Sequence, residues 1–429
     1  PKTVPWFQTP WKGEVPEVTP ERFEEMAPQV RELLQDATGQ AVFHFVTARL
    51  PQWPYARFLE FLFVAEELAK ENDDFKAAVI AGLSFFLDRR YDPGEKKLSH
   101  LIRITTDTLA RVFGAAPKMG DNHPSRFRHL DWQSRQSLTQ PQKPDAVLIL
   151  NAAEFPPEGE DCDARLLCRA YELGWTRFIC YGYRGQRFLG CGFGLNTDQV
   201  RFDVYGSSGD YLASGIDGME IYVHGNAQDQ LGQIMKRGKL VVFGDVGQTF
   251  MYGAKGGEVY TLGNAAGRPL INAVGRPRVV INGTALDFLA ESFMAGDALN
   301  GGGFVIVNGL EFDHRGRVKM QASPYPGSNL FSLASGGAIY IRDPYWQVVD
   351  EQLNGGELVP LTEADWQLIL PYLEENERLF GISLTKHLLT VDGEVRPPEE
   401  VYRKVQAVKL AILAHVEESG LEEIGWGEA

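Results

Sequence analysis

The chain has 429 residues, of which 44% are hydrophobic and 23% charged, and its formal net charge is −15 at pH 7. This composition is typical of a soluble globular protein, and the length allows two or three domains with separate cores. The negative charge disfavours nucleic acid as the main partner, no apolar run approaches the roughly 20 residues that cross a bilayer, and the first residues lack a secretory-signal pattern, so we expect a cytoplasmic protein that binds neither nucleic acid nor membrane.

The N-terminal third is predicted to be helical. Residues 1–18 contain prolines and tryptophans without periodicity, which indicates an extended arm. Thr19 and Pro20 then form a typical helix start, with an N-cap residue followed by proline at the first helical position. Apolar residues recur at intervals of three and four up to residue 114, and a polar stretch follows. We therefore predict an α-helical module with its connector over residues 19–144.

The next segment has the pattern of a strand–helix–strand unit. Residues 145–152 (DAVLILNA) are typical of a buried strand, DARLLCRAYELG of a helix that ends at Gly174, and TRFICYG of a second strand. Residues 145–181 are therefore predicted to lead into the glycine-rich region that follows.

Residues 182–310 contain a repeat. Five apolar runs end in glycine at spacings of 19, 19, 19 and 20 residues, and a sixth follows after 26; these glycines are Gly206, Gly225, Gly244, Gly263, Gly283 and Gly309. Two repeats also share further glycines at offsets of 3, 9 and 12 from the first, namely Gly209, Gly215 and Gly218 after Gly206, and Gly247, Gly253 and Gly256 after Gly244.

A period near 19 with one β-rich run per turn is typical of a β-solenoid. We therefore predict a right-handed β-helix of about 19 residues per coil, flanked by α-helical N- and C-terminal modules. The twelve repeated glycines are predicted to be structural, since glycine supplies positive φ at sharp corners without a steric penalty.

Residues 311–429 are predicted to form a connector and C-terminal helices. Thr362 and Asp365 have the spacing of a capping box at the start of a helix over residues 361–381, and Pro371 is expected to kink that helix. A last helix is predicted over residues 397–420. Both helices are expected to pack against the solenoid and cover one end, because an open end exposes unpaired strand edges.

Two groups of residues are candidates for chemistry. Four cysteines (Cys162, Cys168, Cys180 and Cys191) match no usual metal-binding spacing, so they are either buried structural thiols or a metal or redox site. In the loop YGYRGQRFLG, Arg184, Gln186 and Arg187 are candidates for binding a cofactor phosphate or an acidic partner, the alternative being an ordinary interface or solvated edge. The eight histidines are scattered and indicate no metal site.

The repeat resembles a known family. The stretch GSSGDYLASGIDGMEIYVHGNAQDQLGQIMKRGKLVVFGDVGQTF is similar to the GXGXG domain at the C-terminus of the glutamate synthase large subunit, which is also found in one of the subunits of formylmethanofuran dehydrogenase. The likeness rests on the run from Gly225 to Asp229, on Gly232 and Gly238, on the β run that ends at Gly244, and on residues 290–309. This resemblance also implies a right-handed β-helix, which in glutamate synthase serves mainly as a scaffold.

The chain differs from that whole enzyme in lacking an amino-terminal cysteine nucleophile, a recognisable flavin barrel and a three-cysteine iron–sulfur motif. The resemblance therefore implies a non-catalytic scaffold subunit of a multi-subunit cytosolic oxidoreductase of glutamate-synthase type, with flavin and iron–sulfur clusters on partner subunits. Two alternatives stay open. One is a scaffold subunit of a tungsten or molybdenum complex of formylmethanofuran-dehydrogenase type, and the other is a metal- or cofactor-binding enzyme that uses residues 162–191.

Overall fold

A computed structural model describes residues 20–408 of the chain. The described part of the chain divides into two compact units, the first made of residues 20–129 with Phe312–Arg317 and the second of Leu130–Glu311 with residues 318–408. The predicted extended arm of residues 1–18 lies outside the described residues. None of the helices within residues 20–408 is long and apolar enough to cross a membrane.

The first unit is helical. Its helices are α1 (Pro20–Leu33), α2 (Gln40–Thr47), α3 (Tyr55–Leu68), α4 (Asp73–Asp88) and α5 (Leu98–Gly114). The side chain of Asn72 caps α4 by accepting a hydrogen bond from the backbone N–H of Phe75 at 2.8 Å. The core between α3 and α4 is aromatic, since the rings of Phe58 and Phe86 are fully buried and cross edge to face with centroids 5.8 Å apart.

Most strands belong to one large sheet. In chain order the strands are β1 (Phe127–Leu130), β2 (Val147–Asn151), β3 (Arg177–Tyr181), β4 (Arg201–Tyr205), β5 (Asp217–His224), β6 (Arg237–Val242), β7 (Glu258–Thr261), β8 (Arg278–Ile281), β9 (Phe304–Val307), β10 (Leu310–Phe312), β11 (Val318–Met320), β12 (Ala338–Arg342), β13 (Gly356–Pro360), β14 (Thr390–Val391), β15 (Glu394–Val395) and β16 (Tyr402–Ala407). The second unit also contains the helices α6 (Asp163–Glu172), α7 (Glu363–Phe380) and α8 (Pro398–Val401). Twelve strands form a sheet in the order β1-β2-β3-β4-β5-β6-β7-β8-β9-β12-β16-β13, while β10 pairs with β11 and β14 with β15.

The repeat period equals the step from one parallel strand to the next. From β2 to β9, and on to β12, neighbouring strands are parallel. Tyr205 is opposite His224, and Val242 is opposite Thr261, so residues 19 apart are neighbours across the sheet. At the far end β16 is inserted antiparallel between β12 and β13.

The prediction of a right-handed β-helix is wrong. Residues 20–408 contain a large, mostly parallel twelve-stranded sheet with helices, which is an α/β arrangement. The reason is that only one run per repeat pairs as a regular strand. The glycine-rich segments between strands meet their neighbours through isolated bridges, such as Ala227 with Val246 and Val246 with Ala265.

These connecting segments have an alternating backbone that a strand cannot adopt. In one repeat Thr249, Met251 and Gly253 all have φ between 53° and 61°, in the left-handed region. The N–H groups of Thr249 and Gly253 donate to the following repeat, whereas that of Met251 donates to Leu231 of the preceding one at 2.8 Å. Each segment is therefore hydrogen-bonded to both neighbours although its residues are not extended.

The repeated glycines have two different roles. Five of the twelve have the positive φ that the sequence predicts for them: Gly206, Gly215, Gly218, Gly253 and Gly309. At Gly263 a side chain is excluded for another reason, which is the close approach of the preceding repeat. A Cβ built there would lie 2.9 Å from the backbone of Gly244 and closer still to Oδ1 of Asp245. The glycine is therefore required because neighbouring repeats touch, not because the chain turns with positive φ.

A ladder of short polar side chains causes this close approach. Asn226 accepts a hydrogen bond from the N–H of Asp245 at 2.9 Å, and Asp245 in turn accepts one from Asn264 at 2.8 Å. Asn264 accepts the next one from Thr284 at 3.0 Å. Each side-chain oxygen thus satisfies a backbone donor in the following repeat and is held against the glycine beside that donor.

The C-terminal part differs from the helical prediction. Helix α7 begins with the predicted capping box, since Thr362 and Asp365 each accept a hydrogen bond from the other's backbone N–H. However, residues 402–407, which the sequence places in a helix, form β16. Apolar residues three and four apart there also suit a strand between two others, and the remainder of that predicted helix lies beyond the described residues.

Candidate functional site: the groove beside helix α6

An open groove of about 740 Å³ lies beside α6 in the second unit. One wall is α6 with the loop before it, and the other contains Phe188, Cys191 and Gly192. The structure therefore brings Cys162, Cys168 and Cys191 to one groove, while Cys180 is fully buried in β3. Three of the four predicted cysteines thus share a surface.

Two thiols of this groove, those of Cys168 and Cys191, favour their protonated form. Cys168 donates to the carbonyl of Cys191 at 3.1 Å, and Cys191 donates to the carbonyl of Tyr211 at 3.2 Å. Burial raises the pKa of Cys168 to about 11 and the pKa of Cys191 to about 12. Because nucleophilic attack and metal binding both need the thiolate, these two cysteines are poorly suited to either at neutral pH.

All four cysteines are free thiols. Over residues 20–408, no set of three or more His, Cys, Asp or Glu side chains is arranged to hold a metal ion. The groove also contains charges of both signs: Arg165, which pairs with Glu160 at 3.2 Å on the exposed side, together with Arg169 and Glu172. Its chemistry is therefore mixed, with no single charge that would select a ligand.

The predicted arginine loop is mostly engaged in structural contacts. Gln186 is buried, and its amide nitrogen donates to the carbonyls of Ala152 and Phe155 at 2.8 and 3.0 Å. Its amide oxygen accepts the backbone N–H of Arg184 at 2.6 Å. Gln186 therefore fixes the loop to the segment after β2, and its buried amide group is engaged within the fold.

The two arginines of the loop differ. Arg187 pairs with Glu158 at 2.9 Å and with Asp210 at 3.2 Å, and its guanidinium carbon lies 5.2 Å from the ring centre of Tyr211. Arg184 is exposed, and its guanidinium group forms no ion pair within the described part of the chain. Of the three predicted binding residues, Arg184 is therefore the one whose charge is available to an anion.

A buried carboxyl group lies on the inner side of α6. Asp163 is fully buried, and neither carboxylate oxygen has a hydrogen-bond partner within residues 20–408. Burial raises the pKa of Asp163 to about 6, and the nearby Tyr183 hydroxyl and the backbone N–H groups at the start of α6 offset part of the rise. The sequence does not reveal this residue, because an aspartate at the start of a helix is ordinarily an exposed cap.

A second polar group that the sequence analysis missed lies at β4 and β5. Arg201 donates two hydrogen bonds to Asp203 at 3.0 and 2.9 Å, and Nε2 of His224 lies 3.4 Å from the same carboxylate. The Arg201 guanidinium and the hydrogen bond from His224 hold the pKa of Asp203 well below its usual range, against the effect of burial. The His224 ring is buried and stacks between Tyr205 and Phe243, with ring centres 4.3 and 5.4 Å apart.

The 19-residue repeat period could have revealed the polar group at β4 and β5 from the sequence. Residues 205, 224 and 243 are successive positions at the 19-residue spacing, which places the rings of Tyr205, His224 and Phe243 side by side. A carboxylate that orients an imidazole is an arrangement found in acid–base catalysis. Here both faces of the imidazole ring are covered by aromatic rings, which indicates a packing role for His224 and not proton transfer.

Comparison with known proteins finds a family match that covers the repeated region. Residues 185–395 match the family described as the GXGXG motif. An uncharacterized protein of Methanocaldococcus jannaschii is 32% identical over 203 residues, which cover 46% of this chain and 71% of that protein. The matched segment includes strands β4 to β15, the left-handed connections between them and the contact glycines described above. The chain therefore belongs to the GXGXG motif family.

Proposed function

We propose that this chain is a non-catalytic scaffold subunit of a multi-subunit cytoplasmic oxidoreductase of glutamate-synthase type. Flavin and iron–sulfur clusters would be carried by its partner subunits. The observation that carries the proposal is the way each repeat is joined to the next. Parallel strand pairing, the ladder from Asn226 to Thr284 and the left-handed segments provide three separate sets of hydrogen bonds between neighbouring repeats.

Three sets of bonds make the repeated part of the second unit resistant to bending. A repeat cannot move against its neighbour without breaking bonds at the strand, at the polar ladder and at the left-handed segment together. Such a body can hold partner subunits at a fixed separation, as electron transfer between their cofactors would require. The family relationship supports this proposal, because the similar domain of glutamate synthase is mainly a scaffold.

The candidate chemical groups also support a structural role. The thiols of Cys168 and Cys191 have raised pKa values, Gln186 and Arg187 are engaged in the fold, and both faces of the His224 ring are stacked. Each of these groups is used to hold the chain together. Arg184 is the exception. Because its charge is available to an anion, the alternative of a cofactor-binding enzyme stays open to experiment.

Affinity purification of the tagged full chain from its native host tests the proposal. Co-eluting chains are identified by mass spectrometry, and the visible absorption spectrum of the eluate is recorded. We expect flavin- and iron–sulfur-bearing chains in a fixed ratio to this one, and an untagged strain is the control. Elution of the chain alone would contradict the scaffold role, and tungsten- or molybdenum-bearing partners would replace the glutamate-synthase type with the formylmethanofuran-dehydrogenase type.

A further inference from the structure

Two aromatic side chains are exposed in the loop that follows β12. Trp346 is 67% exposed and Tyr345 is 47% exposed, and Val349 beside them is exposed as well. Tryptophan is rarely left in water to this extent, and clustered exposed apolar side chains commonly mark an interaction site. This group of three residues is called the Trp346 patch below.

The loop beneath the patch is rigidly held. The buried carboxylate of Asp343 accepts the backbone N–H groups of Gln347 and Val348 at 2.8 and 2.9 Å. Arg403 of β16 donates to the same carboxylate at 2.9 Å and to the carbonyl of Val348 at 2.8 Å. The loop is thereby bonded on its inner side to the middle strand of the antiparallel group.

These bonds also fix the indole itself. The guanidinium carbon of Arg403 lies 4.4 Å from the ring centre of Trp346, which is within cation–π range. Trp346 has φ 56°, a left-handed conformation that a tryptophan adopts only where its surroundings enforce it. The exposed ring is therefore preorganised, and a partner that binds it would lose little conformational entropy in ordering it.

Several acidic residues lie close to the patch along the chain or beside a residue that the patch contacts. Tyr345 donates its hydroxyl to Asp392 at 2.6 Å, and Glu394 is exposed two residues further on. Asp350 and Glu351 are exposed in the same loop as Trp346. Of the nearby cations, Arg403 pairs with Asp343, and Arg396 lies 3.6 Å from Asp392. The buried Arg342 donates to the carbonyls of Leu388 and Thr390. The local charge is thus negative, in keeping with the net charge of −15.

We propose that the Trp346 patch is a docking site for a basic segment of a partner subunit, which places a lysine or arginine side chain on the indole. The proposal rests on the scaffold function proposed above. Tryptophan, tyrosine and arginine are the side chains that dominate binding energy at protein interfaces. A cation on the exposed ring would gain cation–π attraction, and the surrounding carboxylates would select positive partners over negative ones.

The first test uses the purified chain and a defined probe. The protein is labelled with 5-fluorotryptophan, and the ¹⁹F signal of Trp346 is assigned as the one that disappears in Trp346→Phe. We expect a short peptide of alternating glycine and arginine to shift this signal, and a glycine–glutamate peptide to leave it unchanged. An unmoved signal, or equal shifts with both peptides, would overturn the proposal.

The second test uses the complex isolated through the tagged chain. Trp346→Ala is expected to reduce partner recovery at least tenfold, as for a central interface residue. Leu195→Ala is the matched control, because Leu195 is 65% exposed and precedes β4, six strand positions and about 29 Å along the sheet from β12. We expect this control to retain its partners.

The outcomes separate the two proposals. If the unmodified chain brings down no partner, the scaffold function fails. If it does so and Trp346→Ala recovers partners as well as Leu195→Ala does, the scaffold function stands and the docking site is overturned. Both substitutions replace exposed side chains, and the thermal unfolding midpoint of each variant verifies that the fold is intact.

Discussion

Two parts of the large sheet are held together by contacts of very different sequence separation. From β4 to β8, each strand and its polar ladder contact residues 19 or 20 positions away. The closing part, formed by β12, β16, β13 and α7, depends on side chains far apart in sequence. Asn282 bonds to Asn376, and Tyr402 bonds to Asn308, each across 94 residues. Contacts of fixed short period leave a pattern in the sequence, whereas the distant ones do not.

The closing part is also more polar inside. Asp365 at the start of α7 is buried and accepts hydrogen bonds from Tyr340 of β12 at 2.7 Å and from Lys404 of β16 at 2.8 Å. Hydrogen bonds from Lys404, Thr362 and Tyr340 keep the pKa of Asp365 below its usual value, although burial alone would raise it. Specific buried pairs thus hold the closing part together, whereas repeated contacts between neighbouring strands hold the part from β4 to β8 together.

Gly263→Val is the variant expected to damage the repeated part most. A side chain at this position meets both the backbone of Gly244 and the side chain of Asp245, and neither can withdraw without breaking the polar ladder. We expect a loss of at least about 5 kcal/mol in the free energy of unfolding, enough to prevent stable folding. Soluble yield and urea-induced unfolding measure the effect.

Gly225→Ala is the matched control for that variant. Gly225 has the same place two repeats earlier, but a Cβ there would meet nothing closer than 3.9 Å. We expect its midpoint of unfolding to stay near that of the unmodified protein. If the two variants are equally damaging, or equally harmless, the contact between neighbouring repeats is not what requires glycine.

Asp365→Leu is expected to have the next largest effect, in the closing part. Removing one partner of a buried ion pair leaves the Lys404 ammonium uncompensated, which costs about 3–5 kcal/mol in unfolding free energy. The double variant Asp365→Leu/Lys404→Met is expected to recover part of this loss. No recovery would mean that the pair is not coupled.

The same carboxyl group gives a pH signature. Because its pKa in the folded protein is lowered, its stabilising contribution is present above the pKa of the unfolded chain and is lost as the pH falls through the folded value. The gap between unmodified protein and Asp365→Leu should therefore narrow toward low pH. A gap independent of pH would contradict the ionised state of Asp365.

Asp163→Asn is expected to stabilise the protein at pH 8 by about 2–3 kcal/mol. Its carboxyl pKa is raised to about 6, so above that pH the fold contains an unpaired buried charge that the unfolded chain exposes to water. The benefit should disappear as the pH falls from about 6 to 4, where the folded form is protonated. Thermal unfolding of the unmodified protein and of Asp163→Asn from pH 4 to pH 8 measures this benefit. If the variant is less stable at pH 8, the charge of Asp163 does not destabilise the fold.

Arg187→Ala is expected to have the smallest effect on stability. Its ion pairs with Glu158 and Asp210 are partly exposed, and such pairs contribute at most about 1 kcal/mol. Assembly and turnover of the complex should be retained. An intact complex without turnover would show that this loop acts in catalysis and would reject the purely structural role of the chain.

The repeated part could be located from sequence, but its architecture could not. The spacing of Gly244, Gly263 and Gly283 correctly gives the ends of successive β runs, and the capping box at Thr362 correctly gives the start of α7. The sequence does not show that alternate residues of the connecting segments, such as Thr249 and Met251, adopt positive φ, because no residue type there requires it. That backbone keeps the connecting segments from pairing as further strands.

The closing part could not be read from sequence for a related reason. In residues 402–407 the apolar positions suit a helix or a strand, and the choice is made by the positions of β12 and β13 beside them. The buried charge of Asp163 and the stacked ring of His224 likewise depend on tertiary packing. Of the candidate site, the sequence indicated the cysteines and the arginine loop but not that most of these groups are already bonded within the fold.

Native mass spectrometry of the purified complex, with flavin, iron and zinc assigned to individual chains after dissociation, tests the scaffold role most directly. The account predicts that this chain dissociates without cofactor or metal and that flavin and iron–sulfur clusters remain with partner chains. A chain that retains its own flavin, iron or zinc would contradict the account and would direct attention to Arg184 and the cysteine groove.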